Sequence, residues 1–160
     1  MLLEVAELLQ QFGFLFNLAM FLAYFFLKAE GMYKLIAVLI LISVVNKLLF
    51  NPLYALENAK YYWYVTWAFM NLVFVAMILI VTKKHPNIQK VTIPVCILAI
   101  VSIILELSRH YERNILDTDY LKKLYSIGIP TLSWLISAYL FAPLALLLVK
   151  YVKGRFSAKH

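Results

Sequence analysis

Residues 106–123, ELSRHYERNILDTDYLKK, contain the side chains in this sequence that are best suited to chemistry. The segment holds eight charged residues, four acidic and four basic, in a chain that is 64% hydrophobic. Glu106 and His110 lie one helical turn apart, and a carboxylate beside an imidazole can transfer protons as a general acid and base. Arg109 and Arg113 could hold the phosphate of a lipid headgroup.

Neither a catalytic set nor a metal site is complete in this segment. Glu106 and His110, even together with Asp117 and Asp119, match no metal-binding motif. No serine or cysteine nucleophile with an oriented partner accompanies the acid–base pair. The sequence therefore predicts no bound metal, no cofactor and no enzymatic activity.

A structural interpretation of the same segment is favoured, in which it joins two helices at the water-facing edge of the protein. Arg109 would pair with Glu112 or Glu106 at helical spacing. Asp117 or Thr118 would cap the second helix. The functional alternative is an outer charged patch that binds a partner or a headgroup phosphate, formed by Arg109, His110, Glu112 and Arg113.

The elements that would position these residues are membrane helices. Only 14% of the residues are charged and the mean hydropathy is +0.85, whereas soluble domains have about 25% charged residues. The net charge of +7 does not indicate nucleic-acid binding, because no basic face interleaved with polar and aromatic residues exists. The single cysteine, Cys96, excludes a disulfide within the chain.

Five apolar runs predict an all-α, polytopic integral membrane protein, a five-helix transmembrane bundle that forms a single domain over residues 1–160. Four spans with a peripheral N-terminal helix is the alternative. A membrane requires helices here, because continuous apolar runs do not alternate as the strands of a barrel do. The predicted spans are residues 8–28, 34–51, 61–82, 91–108 and 124–150, followed by a basic cytoplasmic tail, 151–160.

Basic residues in the short connections predict the orientation. With the N-terminus outside and the C-terminus in the cytoplasm, nine Lys and Arg lie inside and six outside, as the positive-inside rule requires. The low glycine content and the lysine-rich connections favour a bacterial inner membrane.

Small or polar residues recur at spacings of three and four in each run, so each helix should present them on one face. The fourth run carries Thr92, Cys96, Ala99, Ser102 and Glu106, and the fifth carries Ser126, Pro130, Ser133 and Ser137. We expect a polar interior that opens to the outside above an apolar floor. Its predicted binding residues are Asn17, Asn46, Lys47, Asn71 and Glu106.

Lys47 has two interpretations, because a charge within an apolar run is costly. Its ammonium group can reach the headgroups, or it can pair with Glu106 at a similar depth.

These features favour a non-enzymatic membrane subunit that assembles with itself, as a homo-oligomer, or with a partner membrane or cytoplasmic protein, and that senses, anchors or regulates. The first alternative is an oligomeric channel or transport protein, with a pore between subunits. The second is a small membrane enzyme that acts on lipid through Glu106, His110, Arg109 and Arg113. The lipid bilayer is the one partner that the composition itself indicates.

Overall fold

Helices form wherever the sequence is continuously apolar, because a backbone in lipid must satisfy its hydrogen bonds internally. The computed structural model describes the backbone of residues 2–157 and the side chains of residues 12–150. The helices are α1 (Leu2–Phe26), α2 (Glu30–Tyr54), α3 (Ala59–Lys84), α4 (Gln89–Asn114) and α5 (Lys122–Ser157), with a short 3₁₀ turn at Pro86–Ile88. The described chain contains no strand, so the predicted all-α fold is confirmed.

Four of the helical segments are long and apolar enough to cross a membrane, and they identify the chain as an integral membrane protein. They are Glu30–Tyr54, Ala59–Lys84, Pro86–Asn114 and Lys122–Lys150. The described apolar part of α1, Phe12–Phe26, is shorter. Both predicted arrangements, five spans or four spans with a peripheral first helix, therefore remain open. The side chains of 8–11 and of the tail 151–160 lie outside the described residues.

The helices form a ring in chain order. Each helix packs against the helices that precede and follow it in the chain, and α5 returns to contact α1. At this closing contact the Tyr24 hydroxyl donates a hydrogen bond to the backbone oxygen of Leu140, at 2.8 Å. The Phe16 ring packs against Trp134 and Phe141, with centroids 6.5 and 5.4 Å away.

A glycine allows the start of α2 to approach the α3–α4 connection closely. A Cβ added at Gly31 would lie 2.8 Å from Ile88 Cγ2 and 3.0 Å from His85 Cβ. Next to it, Lys34 on α2 bonds Glu30 and lies 3.2 Å from His85 Nε2. These contacts bring the α1–α2 and α3–α4 connections to the same end of the bundle, here called the apolar end.

The buried apolar side chains concentrate toward the apolar end. The most deeply buried are Met20, Tyr24, Leu35, Ile36, Ile78, Val95 and Leu140. The opposite end, here called the charged end, holds the α2–α3 and α4–α5 connections. The buried charged side chains Glu106, Arg109 and Glu112 lie toward that end of α4. The buried charged side chains thus lie in one half of the bundle, along α4, whereas the other half has a mainly apolar interior. This agrees with the expectation that the interior is apolar at one end.

Two expectations for α5 differ from the structure. Pro130 and Pro143 predict a kink or a local break in the fifth run, but α5 continues as one helix through both residues, so neither breaks it. Within the predicted polar stripe, Ser137 is buried, but Ser126, Pro130 and Ser133 are exposed. The prediction was wrong for these three because α5 packs mainly on α4 and only lightly on α1. The periodicity placed these residues on one face of α5, but that face points away from the interior of the bundle.

Candidate functional site

One face of α4 contains most of the buried polar chemistry of the described protein. The buried residues of this helix are Thr92, Val95, Cys96, Ala99, Ser102, Glu106, Arg109 and Glu112. Their spacing of three and four confirms the stripe expected for the fourth run and extends it by nearly two turns to Arg109 and Glu112.

Glu106 is a buried carboxylate bonded to a neutral amide. Its side chain is 2% exposed. The Asn71 Nδ2 atom on α3 donates to both carboxylate oxygens, at 3.2 Å to Oε1 and 3.1 Å to Oε2. The structure thus joins two of the five predicted interior residues.

Asn71 lies near the middle of α3. Asn71 lies 11 residues from Lys60 and 12 residues from Lys83. At about 1.5 Å per residue these separations are roughly 16 and 18 Å, and a bilayer core is about 30 Å thick. Ionisable residues at such a depth are costly, and they mark candidate functional sites.

Next along the α4 face lies a group of three charged side chains, Arg109, Glu112 and Asp119, here called the Arg109 cluster. The Arg109 guanidinium forms ion pairs with the carboxylates of Glu112 and Asp119. Arg109 and Glu112 are 3% and 4% exposed, whereas the Asp119 side chain is 66% exposed. The predicted pairing of Arg109 with Glu112 is confirmed. Arg109 and Glu112 are buried, however, so they do not form the expected outer charged patch.

The Arg109 cluster also holds the backbone of the α4–α5 connection. Arg109 donates to the Thr118 backbone oxygen at 3.4 Å. The Glu112 Oε1 atom accepts the Leu121 backbone N–H at 2.7 Å, and the Glu112 backbone oxygen accepts that of Thr118 at 3.2 Å. These bonds tie the connection to the last turns of α4.

The start of α5 differs from the expectation. Asp117 or Thr118 was expected to cap a helix, but α5 begins at Lys122. Asp117 instead adopts a left-handed backbone conformation with φ 50°, and the Thr118 hydroxyl is buried with no hydrogen-bond partner. The prediction was wrong because Arg109 uses Asp119 and the Thr118 backbone, which draws this segment back over α4.

Stability should depend on the protonation of Asp119. The hydrogen bond from Arg109 holds the pKa of the Asp119 carboxyl below its ordinary value of 3.8. A carboxyl whose pKa is lower in the folded state stabilises the fold above its unfolded pKa, and this contribution disappears as the pH falls through the folded pKa. The thermal midpoint, followed by tryptophan fluorescence in detergent, should therefore fall below about pH 4.

The control for this prediction is a neighbouring aspartate. Asp119→Asn should flatten the acid-side decline of the midpoint, whereas Asp117→Asn should retain the wild-type slope. A decline in Asp119→Asn as steep as that of the wild type would show that the Arg109–Asp119 contact has no part in it.

The other residues of the expected outer patch bond separately. Arg113 donates to the Tyr64 hydroxyl at 2.9 Å. Asn114 Nδ2 lies 3.0 Å from His110 Nδ1 and 3.3 Å from the Lys60 backbone oxygen. The four patch residues therefore take different partners and do not converge on one point.

Three of the predicted interior residues are not brought to Glu106. The Lys47 side chain is exposed, and no described ion pair joins it to Glu106. The predicted Lys47–Glu106 pair was wrong, because α3 lies between and supplies Asn71. Asn17 and Asn46 each bury a side-chain oxygen with no hydrogen-bond partner.

A double-mutant cycle distinguishes the observed pair from the expected one. Asn71→Ala and Glu106→Gln should be non-additive, with a coupling of about 1 kcal/mol, because they remove two halves of one contact. Lys47→Met and Glu106→Gln should be additive within about 0.5 kcal/mol. Free energies of unfolding in mixed detergent provide the measurement. Coupling to Lys47 that equals or exceeds the coupling to Asn71 would contradict the assignment.

A shallow groove opens beside the Arg109 cluster at the charged end. Its volume is about 380 Å³, and it is lined by Ser108, Tyr111, Glu112, Leu116, Thr118, Tyr120 and Leu121. None of the five predicted interior residues lines it, so it is not the expected pocket. Among the described residues, no three His, Cys, Asp or Glu side chains are grouped closely enough to hold a metal ion.

Sequence reasoning missed several residues of the site. Tyr64 and Tyr125 stack edge to face, with ring centroids 5.2 Å apart, and the Tyr64 hydroxyl accepts a hydrogen bond from Arg113. Tyr125 carried no signal in the sequence, since it follows Lys122 and Lys123 in a segment assigned to the start of a helix. Among the described side chains, this arrangement can bind a proton or pair buried charges, but it positions no nucleophile beside them. The chain matches no protein-family model, no curated protein and no solved structure.

Proposed function

We propose that the protein is a non-enzymatic integral membrane subunit that assembles with itself or with a partner protein and has a sensing, anchoring or regulatory role. The observation that supports this most directly is that the charged side chains of residues 106–123 bond other parts of the same protein. Arg109 and Glu112 bond each other and the α4–α5 connection, and Arg113 bonds Tyr64. The residue types most suited to chemistry thus hold the fold together.

The enzyme alternative has less support. A catalytic site requires its groups to converge on one reacting atom. Glu106 bonds Asn71 and Arg109 bonds Glu112, whereas His110 lies beside Asn114. Activity on lipid would require all three side chains to leave these partners.

The exposed face of α5 supports assembly. Ser126, Pro130 and Ser133 lie on this face at helical spacing. Lipid tails are as apolar as leucine, so helices in a membrane associate through close packing of small and polar residues. This face is therefore our proposed contact with a second copy or with a partner.

Cysteine cross-linking tests assembly. In a Cys96→Ala background, Ser133→Cys should form a disulfide-linked species in native membranes, and Leu79→Cys should not. Leu79 is a matched control, because it is 55% exposed on α3, away from the proposed contact. A monomeric mass in mild detergent, together with equal or absent cross-linking at both positions, would refute assembly through α5.

The proposed orientation places the charged end outside a bacterial inner membrane and the C-terminus in the cytoplasm. The excess of Lys and Arg on the other side supports it. Exposed tyrosines at the charged end suit a headgroup interface, and they are Tyr54, Tyr61, Tyr62, Tyr111 and Tyr120. A reporter enzyme that is active only in the cytoplasm should therefore be active when it is fused after residue 160.

A transport function is the second candidate, and one observation favours it. Glu106 is a carboxylate buried among membrane helices, and such residues often line the paths of ions or protons. Ion flux through purified protein in liposomes should fall in Glu106→Gln if this alternative holds. The absence of flux over several ions in the wild type would set it aside.

A further inference from the structure

The charge of Glu106 has no counter-ion among the described side chains. The carboxyl is 2% exposed, and both of its hydrogen bonds come from the neutral amide of Asn71. An ionised carboxylate that is removed from water and left without a cation is strongly disfavoured, and such groups in proteins usually become neutral instead.

The described side chains of the helices that pack on α4 form no ion pair with Glu106. From α5 the titratable neighbour is Tyr125, and from α3 Tyr64 stacks on the ring of Tyr125. On α4 itself Arg109 is one turn away, but its guanidinium already binds two carboxylates, Glu112 and Asp119. Arg113 is bonded to the Tyr64 hydroxyl. A proton is therefore the simplest ligand that removes the uncompensated charge.

Asn71 is suited to both protonation states. An asparagine amide carries two donor hydrogens and one acceptor oxygen. With Glu106 ionised, the Nδ2 atom donates to both carboxylate oxygens, as in the structure. With Glu106 protonated, the same amide can donate to one oxygen and accept the new O–H. A leucine at this position could do neither, and a lysine would hold the carboxyl permanently ionised.

Access to Glu106 differs between the two ends of the bundle. Toward the apolar end, the buried face of α4 continues with Ser102, Ala99, Cys96 and Val95, and the Ser102 hydroxyl donates to the backbone of its own helix. Toward the charged end, this face continues with the charged side chains of Arg109 and Glu112, and beside them Arg113 bonds the Tyr64 hydroxyl of α3. Protons should therefore reach Glu106 from the charged end.

We propose that Glu106, paired with Asn71, is a proton-binding site within the membrane that exchanges protons with the solution at the charged end. The inference rests on the proposed sensing role and names the proton as the ligand that is sensed. Protonation exchanges one hydrogen-bond pattern between α3 and α4 for another, and α3 and α4 form the most extensive contact between helices in the bundle.

Infrared difference spectroscopy tests the proposal on the full chain in lipid vesicles. Between about pH 5 and pH 8, the wild type should show a carbonyl band of a protonated carboxyl that disappears as the pH rises. Glu106→Gln should lack this band. Glu57→Gln, which changes an exposed carboxylate on the α2–α3 connection, should keep it. Asn71→Ala should shift the midpoint upward by about one pH unit, because the carboxylate loses its donors.

Two results would overturn the proposal: no titrating carboxyl band in the wild type, or the same band in Glu106→Gln. Retained protection of the buried Cys96 thiol establishes that each variant is folded, and the Asn71→Ala shift tests the site without altering its carboxyl.

A pH change restricted to the side of the charged end should move the band, whereas the same change on the other side should not. A chain that stays monomeric but shows the band would remove the assembly proposal alone. An assembled chain without the band would remove the proton site alone.

Discussion

Replacement of Arg109 by methionine should lower the free energy of unfolding by about 3 kcal/mol. Removal of one partner of a buried ion pair usually costs about 3–5 kcal/mol, because the other charge stays buried without compensation. The lower end applies here, since one of the two carboxylates, Asp119, is 66% exposed and can be hydrated. The substitution also removes the donor to the Thr118 backbone oxygen, so the α4–α5 connection should loosen.

The single buried cysteine provides the measurement. A dye that fluoresces on reaction with a thiol reports unfolding through Cys96 alone. Arg113→Met is the matched control, because Arg113 is exposed and makes one hydrogen bond to a side chain, so we expect a loss below about 1 kcal/mol. Glu112→Gln added to Arg109→Met should recover part of the loss, because glutamine keeps an acceptor for Leu121 and carries no charge. Equal losses in the two arginine variants would contradict the structural role of the Arg109 cluster.

Tyr24→Ala should destabilise the protein by a similar amount, about 3 kcal/mol. Tyr24 is fully buried, and truncation of a large aromatic side chain in a core costs about 3–5 kcal/mol through the cavity that remains. The lower end is expected in a membrane, where packing rather than removal from water drives helix association. The residue also carries the hydrogen bond from α1 to Leu140 on α5, at the lightest contact of the helix ring.

Tyr24→Phe separates the two contributions. It retains the ring and removes the hydroxyl, so a loss of about 1 kcal/mol is expected. The same thiol-reactivity assay applies to both variants. A Tyr24→Phe variant as unstable as Tyr24→Ala would show that the hydrogen bond, rather than the packing, closes the ring. An alanine variant with wild-type stability would contradict both roles.

The sequence predicted the helices and the buried face of α4, because both follow from periodicity along one chain. Apolar runs of span length require helices in lipid. The spacing of Thr92, Cys96, Ala99, Ser102 and Glu106 requires these residues to share a face. Both inferences concern local geometry, which a single helix determines by itself.

The partner of each polar residue could not be predicted in the same way. Glu106 is bonded to Asn71 rather than to Lys47, and this choice depends on which helices are neighbours and at what height. For the same reason the stripe on α5 was assigned to the interior, although Ser126 and Ser133 are exposed. The sequence paired Lys47 with Glu106 only because both were expected at a similar depth in the membrane. Depth in the membrane does not determine where a helix lies around the ring.

The start of α5 shows the limit of local capping signals. Asp117 and Thr118 are favourable capping residue types. Their preference, worth about 1 kcal/mol, competes with ion pairs and backbone bonds that converge on buried Arg109. The tertiary contacts prevail and move the first turn to Lys122.

The order of the helices around the ring has a consequence for biosynthesis. Because each helix packs on its predecessor, every new segment that leaves the ribosome finds a packing neighbour already in the bilayer. Contacts between sequence neighbours form quickly, so α1 to α4 can assemble as a growing arc. The Tyr24 hydroxyl, however, has its acceptor on α5. That bond must wait until about 116 further residues have been translated, and at a typical rate of about 5–20 residues per second this takes several seconds. During this interval the sides of α1 and α4 that α5 will cover are exposed to membrane chaperones and proteases.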